Sequence, residues 1–511
     1  MQTQKLPSLT PKERQAIEEF FVSKGLPLNI CVTFEDVFIP EEYSPIRSRE
    51  EAVNSFLYNN GLRSEVVPGF SIALPIVSAN MESVSGVKLI TKLQQLGGLG
   101  IQPQTLSPEE RLNMLIQIGQ EDCAYRENPL TVRPYQTIKE VRELAKQHEI
   151  YGFIVVDEEN RPIGILSSRD WLYETDDNKQ AKDVMGGGRL RPLITGTKNM
   201  PLKEAARLLY QHRIEKLPLV DENGRLAGAI FAKGVFYQRH YPNATRNELG
   251  QFVRVASIGV GRNFGTEHLR FIEQAITMGG AQLLLIDTAR AYAVNMKDAL
   301  TKTKREFPSL PIIAGNVSTA EGAKALIEWG ADCVKIGQGP GQVCRTRDIG
   351  TGTPQLTAIA ECSVICHLYG KRAMADGGMH SPGDIAKAFL AGADTVMLGK
   401  MLAGTFESAA EAYYDKYGCK VKDYEGSASF RAQQRRKARG ELNRIRRPEG
   451  VHEQVHVHST VEEVVYDILW GLASLFTYEG SLTLAEFKQN RRFRLQTKAG
   501  FIEGTKNPRG V

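Results

Sequence analysis

The chain has 511 residues, of which 42% are hydrophobic and 24% are charged. This composition is typical of a globular protein, and the length is sufficient for two or more domains. The formal net charge of +5 is too small to favour nucleic-acid binding. No apolar run approaches the roughly 18 residues of a transmembrane helix, which argues against a membrane protein.

The seven cysteines favour reduced thiols. Their number is odd, no C-x-x-C pair occurs, and the chain is far longer than a disulfide-stabilised secreted domain. The first residues also lack the apolar stretch of a secretory signal peptide. We therefore expect a cytoplasmic protein.

The first third of the chain predicts a charged leader and then the start of an α/β domain. The leader is predicted over residues 1–29 and contains one helix at Pro11–Lys24. Apolar segments at Ile72–Ser78 and Leu99–Ile101 are typical of strands, and the segment Gly86–Leu96 between them is typical of a helix. Strand, helix and strand in succession indicate parallel β/α architecture.

Two similar stretches, offset by about 64 residues, fill the predicted module at residues 124–241. Each predicts a helix followed by two short apolar strands that are separated by a polar turn. The helices are predicted at Thr137–His148 and Pro201–His212. An internal repeat of this kind indicates two copies of one supersecondary unit.

After the repeats, short apolar strands again alternate with helices. The strands are predicted at Val253–Val260, Leu283–Asp287, Pro311–Asn316, Cys333–Ile336, Ala373–Asp376 and Thr395–Leu398. The helices are predicted at Glu267–Met278, Tyr292–Phe307, Ala320–Gly330, Gln355–Leu368 and Gly383–Ala391. With the two earlier strands the count is about eight, so we predict a (β/α)8 TIM barrel at residues 30–123 and 242–511 that is interrupted by the repeats.

Chemically useful residues follow several of these strands. In a β/α barrel the loops after the strands form the active site at one face. The residues in such positions are Met81, Asp287, Asn316, Cys344, Asp376 and Gly399. Packing alone does not explain why polar strand ends should converge on one face.

The segment from Ala331 to Gln355 is the most informative of these strand ends. It runs from the Cys333–Ile336 strand into a glycine-rich loop with Cys344 near its centre and Thr346 behind it. Adjacent cations favour a reactive thiolate, and the flanking arginines are candidates for that role. The alternative is that this cysteine is a small buried hydrophobe, and local composition alone favours neither reading.

Two later strands end on glycines that suit a nucleotide. Phosphate sites in β/α barrels are often built from the last two loops. The glycines Gly377, Gly378 and Gly399 lie in these loops, and their bare backbone N–H groups are placed to hold a phosphate. Lys400 follows the last of them. Asp376 is placed to accept hydrogen bonds from ribose hydroxyls. A tight turn is the simpler explanation for either sequence alone.

The motif G-x-G-P-G-x-x-C-x-T-R, followed by G-x-G-x-P-Q, resembles the catalytic loop of the IMP dehydrogenase/GMP reductase family. The resemblance extends over nearly the whole chain. It implies that the sulfur of Cys344 bonds covalently to C2 of a purine nucleotide. It also implies nucleotide binding by the glycine loops above and by Asn316, Tyr424 and Gly426.

The resemblance further implies a nicotinamide cofactor and an acid–base pair. The cofactor residues it implies are Asp287, Thr288, Ala289 and Met81, although no G-x-G-x-x-G motif is present and Asp287 could instead cap a helix. Glu449 follows a flap at about 424–450 and would exchange protons near the hydroxyl of Thr346. The alternative for this glutamate is an exposed loop carboxylate.

The repeat pair resembles a tandem CBS module, which implies binding of a regulatory purine nucleotide. The first repeat ends in Ser167-x-x-Asp170, a hydroxyl and a carboxylate suited to a ribose. The second repeat has Phe231 and Gly234 at the equivalent positions, so at most one such site is intact. The alternative is a pair of packing domains that bind nothing.

The direction of the reaction depends on the flap. Water activation in the dehydrogenases is associated with an Arg-Tyr pair, and this flap contains no Arg-Tyr dipeptide. The sequence therefore favours a GMP reductase, which converts GMP to IMP and ammonia with NADPH. The alternatives are an NAD-dependent IMP dehydrogenase, which forms XMP, and a non-catalytic nucleotide-sensing protein.

Several further expectations complete the prediction. The resemblance implies a homotetramer, or an octamer formed through the repeats. A monovalent cation such as K⁺ is a further candidate ligand, at the carbonyl groups of Gly339, Gly341 and Cys344. Gln342 and Lys400 depart from the residues common in the family. The basic run Arg431–Arg447 is more typical of a solvated loop than of a nucleic-acid site.

Overall fold

The structure is a computed structural model. It describes residues 7–121, 124–148, 152–188, 192–261, 264–341, 345–426, 429–438, 444 and 450–504. Two compact units are present. One comprises the described residues of Met1–Gly119, Asn243–Thr245 and Val253–Val511, and the other those of Gln120–Pro242 and Arg246–Phe252.

The first unit is built on a curled sheet of seven parallel strands, which confirms the predicted barrel fold. In spatial order the strands are Val255–Ile258, Leu283–Asp287, Ile312–Val317, Cys333–Ile336, Arg372–Asp376, Thr395–Leu398 and Ile76–Ser78. Nearly every residue of these strands is buried, as expected when helices cover a parallel sheet. Parallel pairing brings all the carboxyl ends to one edge, where the predicted site residues Asp287, Asn316, Asp376 and Gly399 lie.

The barrel closes through the segment that follows residue 98. Leu99 forms a parallel bridge with Val77 on one side. On the other side, the Ser257 hydroxyl donates to the carbonyl group of Gln102 over 2.6 Å. The predicted strand Leu99–Ile101 therefore occupies the eighth position, with ladder pairing only at its first residue.

The predicted strand Ile72–Ser78 is two separate strands. Phe70–Ile72 pairs antiparallel with Ser64–Val67, and Ile76–Ser78 joins the barrel. Pro75 lies between them. Because proline has no N–H to donate, it interrupts the ladder where the chain passes from the hairpin into the barrel.

Helices surround the barrel strands. Those that follow the strands are Val87–Gln95, Pro108–Gln120, Thr266–Thr277, Val294–Glu306, Ala320–Glu328, Gln355–Leu368 and Pro382–Leu390, together with the long helix Val461–Glu479. Shorter or peripheral helices are Arg49–Tyr58, Lys400–Ala403, Phe430–Ala438, Leu484–Asn490 and Lys498–Gly504. No helix among the described residues is long and apolar enough to cross a membrane.

The N-terminal helix, Pro11–Lys24, has the predicted bounds and packs on the barrel unit. Thr10 and Glu13 form a capping box at its start. Glu13 is buried, and its Oε2 accepts a hydrogen bond from Nζ of Lys324 over 3.0 Å. The hydroxyl of Tyr369 donates to its other oxygen over 2.7 Å. This charged helix is therefore fixed by a buried ion pair.

A small antiparallel sheet carries the flap. Its strands are Ala412–Tyr414, Lys420–Glu425 and His452–His456, in that order. The flap lies between the last two strands, and its helix Phe430–Ala438 begins the basic run. Arg431 pairs with Asp423 over 2.6 Å, and Arg435 pairs with Glu425 over 2.9 Å. These two arginines at the start of the basic run are thus engaged in ion pairs within the chain.

The second unit contains the two predicted repeats as matching folds. In the first repeat, strand Thr131–Val132 pairs parallel with Phe153–Val156, which pairs antiparallel with Pro162–Leu166. In the second, Gly196–Thr197, Lys216–Val220 and Leu226–Phe231 pair in the same order and directions, and Tyr125–Arg126 adds an edge strand. The repeat helices are Ile138–His148, Ser168–Trp171, Leu202–His212 and Ala232–His240.

Candidate active site

A buried lysine joins two carboxylates at the carboxyl end of the barrel. Nζ of Lys335 lies 2.6 Å from Oδ2 of Asp376 and 3.1 Å from Oδ1 of Asp287. The three residues belong to three different strands, and the lysine side chain is only 4% exposed. The structure therefore brings the predicted cofactor residue and the predicted ribose-binding residue to a common cation.

The electrostatics of Lys335 follow from its burial and its partners. Burial alone would lower the pKa of the ammonium, but the adjacent carboxylates of Asp287 and Asp376 outweigh it and raise the pKa. The lysine thus stays protonated at neutral pH. Two carboxylates around one ammonium leave one net negative charge, which suits hydrogen-bond donors such as ribose hydroxyls.

Amide side chains complete this polar cluster. Nδ2 of Asn316 donates to Asp376 over 2.8 Å and to the carbonyl group of Gly337 over 2.7 Å. Asp287 accepts hydrogen bonds from Asn80 over 2.8 Å and from Gln104 over 3.2 Å. The carboxylates are therefore held in fixed positions before any ligand binds.

The glycine-rich loop is anchored by Gln355 and Arg347. Nε2 of Gln355 donates to the carbonyl groups of Ile336 and Asp376 over 3.1 and 3.2 Å. The guanidinium group of Arg347 donates to the carbonyl groups of Gln338 and Thr353 over 3.2 and 2.7 Å. Arg347 thus fixes the loop backbone.

The glycines after the Arg372–Asp376 strand make a turn that other residues would not. Gly377 and Gly378 have φ angles of 87° and 82°, in the left-handed region. A Cβ on Gly377 would lie 3.1 Å from the backbone nitrogen of Gly341, and one on Gly378 would lie 3.1 Å from Pro340. Close approach of the two loops therefore requires glycine at both positions.

Gly399 and Tyr424, both predicted to bind substrate, also meet. A Cβ on Gly399 would lie 2.5 Å from the Tyr424 hydroxyl, so the glycine makes room for the ring. Tyr424 is buried on the flap strand. The neighbouring Lys400 pairs with Glu453 over 2.9 Å, and the N–H of Gly426 donates to Val451 over 3.1 Å.

Three of the predicted cofactor residues, Asp287, Thr288 and Ala289, lie together at the end of the strand Leu283–Asp287, and Met81 follows the strand Ile76–Ser78. The N–H of Thr288 donates to Gly315, and the carbonyl group of Thr288 accepts from the N–H of Asn316. The carbonyl group of Ala289 accepts from Gln338 over 3.3 Å. Met81 packs against buried hydrophobic residues of the barrel. It follows Asn80, which contacts Asp287.

The residues near Asp287 fit the ribose of a nicotinamide cofactor. Oε1 of Gln104 is buried, accepts no hydrogen bond from the described residues, and lies near the strand-end glycine Gly259. A buried acceptor of this kind beside a carboxylate suits the hydroxyl donors of a sugar. Asp287 and Gln104 would hold such a ribose.

Two of the three predicted catalytic residues, Cys344 and Glu449, lie outside the described residues, as does Gln342. Thr346 is buried at the start of the short 3-10 helix Thr346–Ile349. Gly339 and Gly341 flank the start of the cysteine loop, and their proposed role in cation binding stays a prediction.

In the second unit, Ser167 and Asp170 form a capping box. The carboxylate of Asp170 accepts from both the backbone N–H and the hydroxyl of Ser167, each over 2.7 Å. The pair therefore caps the Ser168–Trp171 helix. Nucleotide binding at these residues stays a prediction.

Sequence reasoning did not identify Lys335, Gln104 or the anchoring role of Gln355. A signal for the first was present, because a lysine inside a four-residue apolar strand is expected to be buried with carboxylate partners. The other two are amides whose partners lie far away in the chain, and no local pattern identifies them.

Comparison with known proteins identifies one family. A model of the IMP dehydrogenase / GMP reductase domain matches residues 31–507. Inosine-5'-monophosphate dehydrogenase of Aquifex aeolicus (strain VF5) is 35% identical over 479 residues, covering 92% of this chain and 94% of the relative. The enzyme of the same name from Nitrosopumilus maritimus (strain SCM1) is 34% identical, covering 92% and 97%.

Similar solved structures include members of the other branch of the same family. The structure of a cysteine-to-alanine variant of GMP reductase from Trypanosoma brucei, in complex with guanosine 5'-monophosphate, superposes with a TM-score of 0.84. It is 30% identical and covers 95% of this chain and 98% of that chain. GMP reductase from the same organism in complex with guanosine 5'-triphosphate gives a TM-score of 0.74 at 27% identity, covering 92% and 98%.

Proposed function

The chain belongs to the IMP dehydrogenase / GMP reductase family, and we propose that within this family of purine nucleotide oxidoreductases it is an NADPH-dependent GMP reductase. The proposed reaction converts GMP to IMP and ammonia. It depends on a covalent bond between the sulfur of Cys344 and C2 of the purine.

The composition of the flap is the single observation that carries the reductase direction. The dehydrogenase branch is associated with an Arg-Tyr pair that activates water, and residues 424–450 contain no such dipeptide. Tyr424 is instead followed by Glu425, whose carboxylate is paired with Arg435 over 2.9 Å. A flap without the water-activating pair favours loss of ammonia over hydrolysis.

In the proposed reaction the described residues bind and orient the nucleotide. Backbone N–H groups at Gly377, Gly378 and Gly399 hold the phosphate, with the Tyr424 hydroxyl beside them. The Asp376 carboxylate accepts from the ribose hydroxyls, and its ion pair with Lys335 fixes its position. Rigid placement of the sugar sets the purine C2 over the cysteine loop.

The chemical step is assigned to Cys344, Thr346 and Glu449. The thiolate adds to C2, and the exocyclic amino group leaves as ammonia after it takes a proton through the threonine hydroxyl and the glutamate. The nicotinamide cofactor supplies the hydride that C2 receives. Departure of the thiolate then releases IMP and regenerates the free cysteine.

Two reactions measured side by side test the proposal. The full-length protein is incubated with GMP and NADPH, and separately with IMP and NAD, while the absorbance of the reduced nicotinamide is followed. Oxidation of NADPH with release of ammonia is the expected result. Reduction of NAD in the second mixture, with formation of XMP, would overturn the proposal.

The second candidate is an NAD-dependent IMP dehydrogenase. The observation that favours it is the identity of up to 35% with relatives of that name. A third candidate, a non-catalytic nucleotide sensor, would bind GMP or IMP with no turnover in either mixture. In that case, replacing Cys344 by alanine would leave the behaviour of the protein unchanged.

The second unit is proposed to be a tandem CBS module that binds a regulatory purine nucleotide at Ser167 and Asp170. The complex of a Trypanosoma brucei GMP reductase with guanosine 5'-triphosphate makes a guanine nucleotide the first candidate. A homotetramer or octamer, a cytoplasmic location, and K⁺ at Gly339, Gly341 and Cys344 complete the proposal.

A further inference from the structure

A buried lysine at the base of the flap is surrounded by neutral oxygens. Nζ of Lys422 donates to the carbonyl groups of Thr405, Phe406 and Ser408 over 2.9, 3.2 and 2.8 Å, and lies 2.9 Å from the Ser408 hydroxyl. The residue is only 3% exposed. These four oxygens form what we call the carbonyl cage.

The partners of this ammonium differ from those of the other buried lysines described above. Lys335 and Lys324 each pair with carboxylates, whereas none of the four cage oxygens is charged. Glu407 lies within the loop that supplies the cage and its charge favours the ammonium, but it makes no hydrogen bond to Lys422, and its Oε2 accepts instead from the N–H of Val461 over 3.0 Å. Convergent carbonyl and hydroxyl oxygens are the ligands that proteins use for hard cations.

The cage itself is built by local hydrogen bonds. The Thr405 hydroxyl donates to Leu402 over 2.8 Å, and the Ser408 hydroxyl donates to Ala403 over 2.7 Å. The loop is also attached from outside, because the N–H of Phe406 donates to the carbonyl group of Ser459. These hydrogen bonds, which do not involve Lys422, help to orient the oxygens toward the ammonium, as in a cation site.

The cage lies next to the proposed phosphate site. The strand Lys420–Glu425 carries both Lys422 and Tyr424, which lie two residues apart and so point to the same face. Tyr424 contacts Gly399 at the start of the short helix Lys400–Ala403, and the cage follows the end of that helix. The strand Lys420–Glu425 therefore contacts the short helix near its start, through Tyr424, and the loop after its end, through Lys422.

We propose that Lys422 is a tethered cation whose carbonyl cage positions Tyr424 and Gly399 for binding the nucleotide phosphate. The ammonium takes the place of a monovalent metal ion, and it joins the flap strand to the loop after the helix. Lys422 is a positioning residue, because it touches neither the nucleotide nor the reacting atoms. The inference rests on the assignment of the phosphate site in the proposed function.

Chemical rescue tests the cage. Lys422→Ala removes the ammonium and leaves the oxygens, so the affinities of the full-length protein for GMP and IMP are expected to fall about tenfold by calorimetry. Adding ammonium, methylammonium or K⁺ is expected to restore most of the loss. Tetramethylammonium, which has no N–H and is too large for the space, should restore nothing.

The controls separate a cage from general disruption. Lys420→Ala removes an exposed lysine from the same strand, and it should bind both nucleotides and respond to the added cations as the wild type does. If Lys422→Ala does not fold, Lys422→Met keeps the buried stem without the charge, and it should lose affinity without rescue, since its side chain fills the space.

Two results would overturn the inference. One is normal nucleotide affinity in a folded Lys422→Ala or Lys422→Met protein. The other is a loss in Lys422→Ala that no small cation restores. Because the assay measures binding of both GMP and IMP, a wrong reaction direction would leave it unaffected, and only failure of wild-type binding would count against the proposed function.

Discussion

Lys335 donates from Nζ to Oδ2 of Asp376 over 2.6 Å, although the two residues are 41 positions apart in the chain. They meet because the strands Cys333–Ile336 and Arg372–Asp376 are hydrogen-bonded neighbours in the barrel. The same ammonium reaches Asp287 on the other side. A single charge therefore sets the positions of carboxylates in both halves of the candidate active site.

Replacing Lys335 by methionine is expected to impair both halves of this site. The change leaves two partly buried carboxylates without their cation, which costs up to about 3–5 kcal/mol of folding stability, the upper figure being that for fully buried charges. We expect a lower thermal midpoint and at least about tenfold weaker binding of both the purine nucleotide and the nicotinamide cofactor. Thermal denaturation and calorimetry measure the two effects separately.

Lys335→Arg is the matched control, since it keeps the charge. The larger side chain is expected to cost about 1–3 kcal/mol of stability, with a smaller loss of affinity than in the methionine variant, because the charge is kept. Wild-type affinity for both ligands in a folded Lys335→Met protein would show that the ion pairs serve stability alone.

Cys344→Ala tests the proposed covalent step. The variant is expected to bind GMP with near wild-type affinity, because the phosphate and ribose contacts come from other residues, and to lose turnover by a factor of at least about 10³. Mass spectrometry of the wild-type protein quenched during turnover should detect a nucleotide adduct at this cysteine, which the variant cannot form.

An exposed cysteine provides the control for this experiment. Cys419 lies between two strands of the flap sheet and is a free thiol. Cys419→Ala should retain full activity, and no adduct should form at Cys419. Turnover that survives in Cys344→Ala would refute the assigned chemistry, whichever direction the reaction takes.

Elements with a strong local signal were predicted to the residue. The helix Gln355–Leu368 begins directly after a proline and consists mostly of buried residues, and the strands Leu283–Asp287 and Cys333–Ile336 are uniformly apolar or nearly so. The strand predicted at Ile72–Ser78 was wrong as one element, because Pro75 divides it. Local pattern also predicted that Asp287, Asn316 and Asp376 would meet at the barrel mouth.

Contacts between distant parts of the chain were beyond local patterns. The partners of Lys335, the cage around Lys422 and the ion pair between Glu13 and Lys324 each join residues that only the fold brings together. A lysine within an apolar run indicates that a partner exists but not which one. The N-terminal helix was predicted correctly as a helix, yet its buried anchor was not visible in its charged sequence.

Glu13 is expected to make the protein sensitive to acid. Burial tends to raise the pKa of this carboxyl, but hydrogen bonds from Thr10, Tyr369 and Lys324 outweigh it and lower the pKa from 4.5 to about 2. A lowered folded-state pKa contributes stability that is complete above the unfolded value and is lost as pH falls from about 4.5 towards 2.

Glu13→Gln should therefore destabilise the protein at pH 7 by about 3 kcal/mol, and the difference from the wild type should shrink as the pH falls below about 4.5. Glu18→Gln, an exposed position on the same helix, should change stability little at either pH. Thermal midpoints of the wild type, Glu13→Gln and Glu18→Gln between pH 3 and pH 7 test this prediction. A difference between the wild type and Glu13→Gln that does not change with pH would contradict the assigned role.

Asp170→Ala tests whether the capping box in the second unit is also a ligand site. The variant loses a helix cap, which typically costs about 1 kcal/mol, and by our proposal it also loses the binding of a regulatory purine nucleotide.

Glu140→Ala is the matched control. Its carboxylate closes an equivalent box in the same repeat, accepting from the N–H and the hydroxyl of Thr137 over 2.7 and 3.0 Å. Both variants should lose a similar amount of stability, whereas only Asp170→Ala should lose the response to GTP or ATP in calorimetry. If the two variants bind these nucleotides equally well, the Ser167-x-x-Asp170 motif is a helix cap and nothing more.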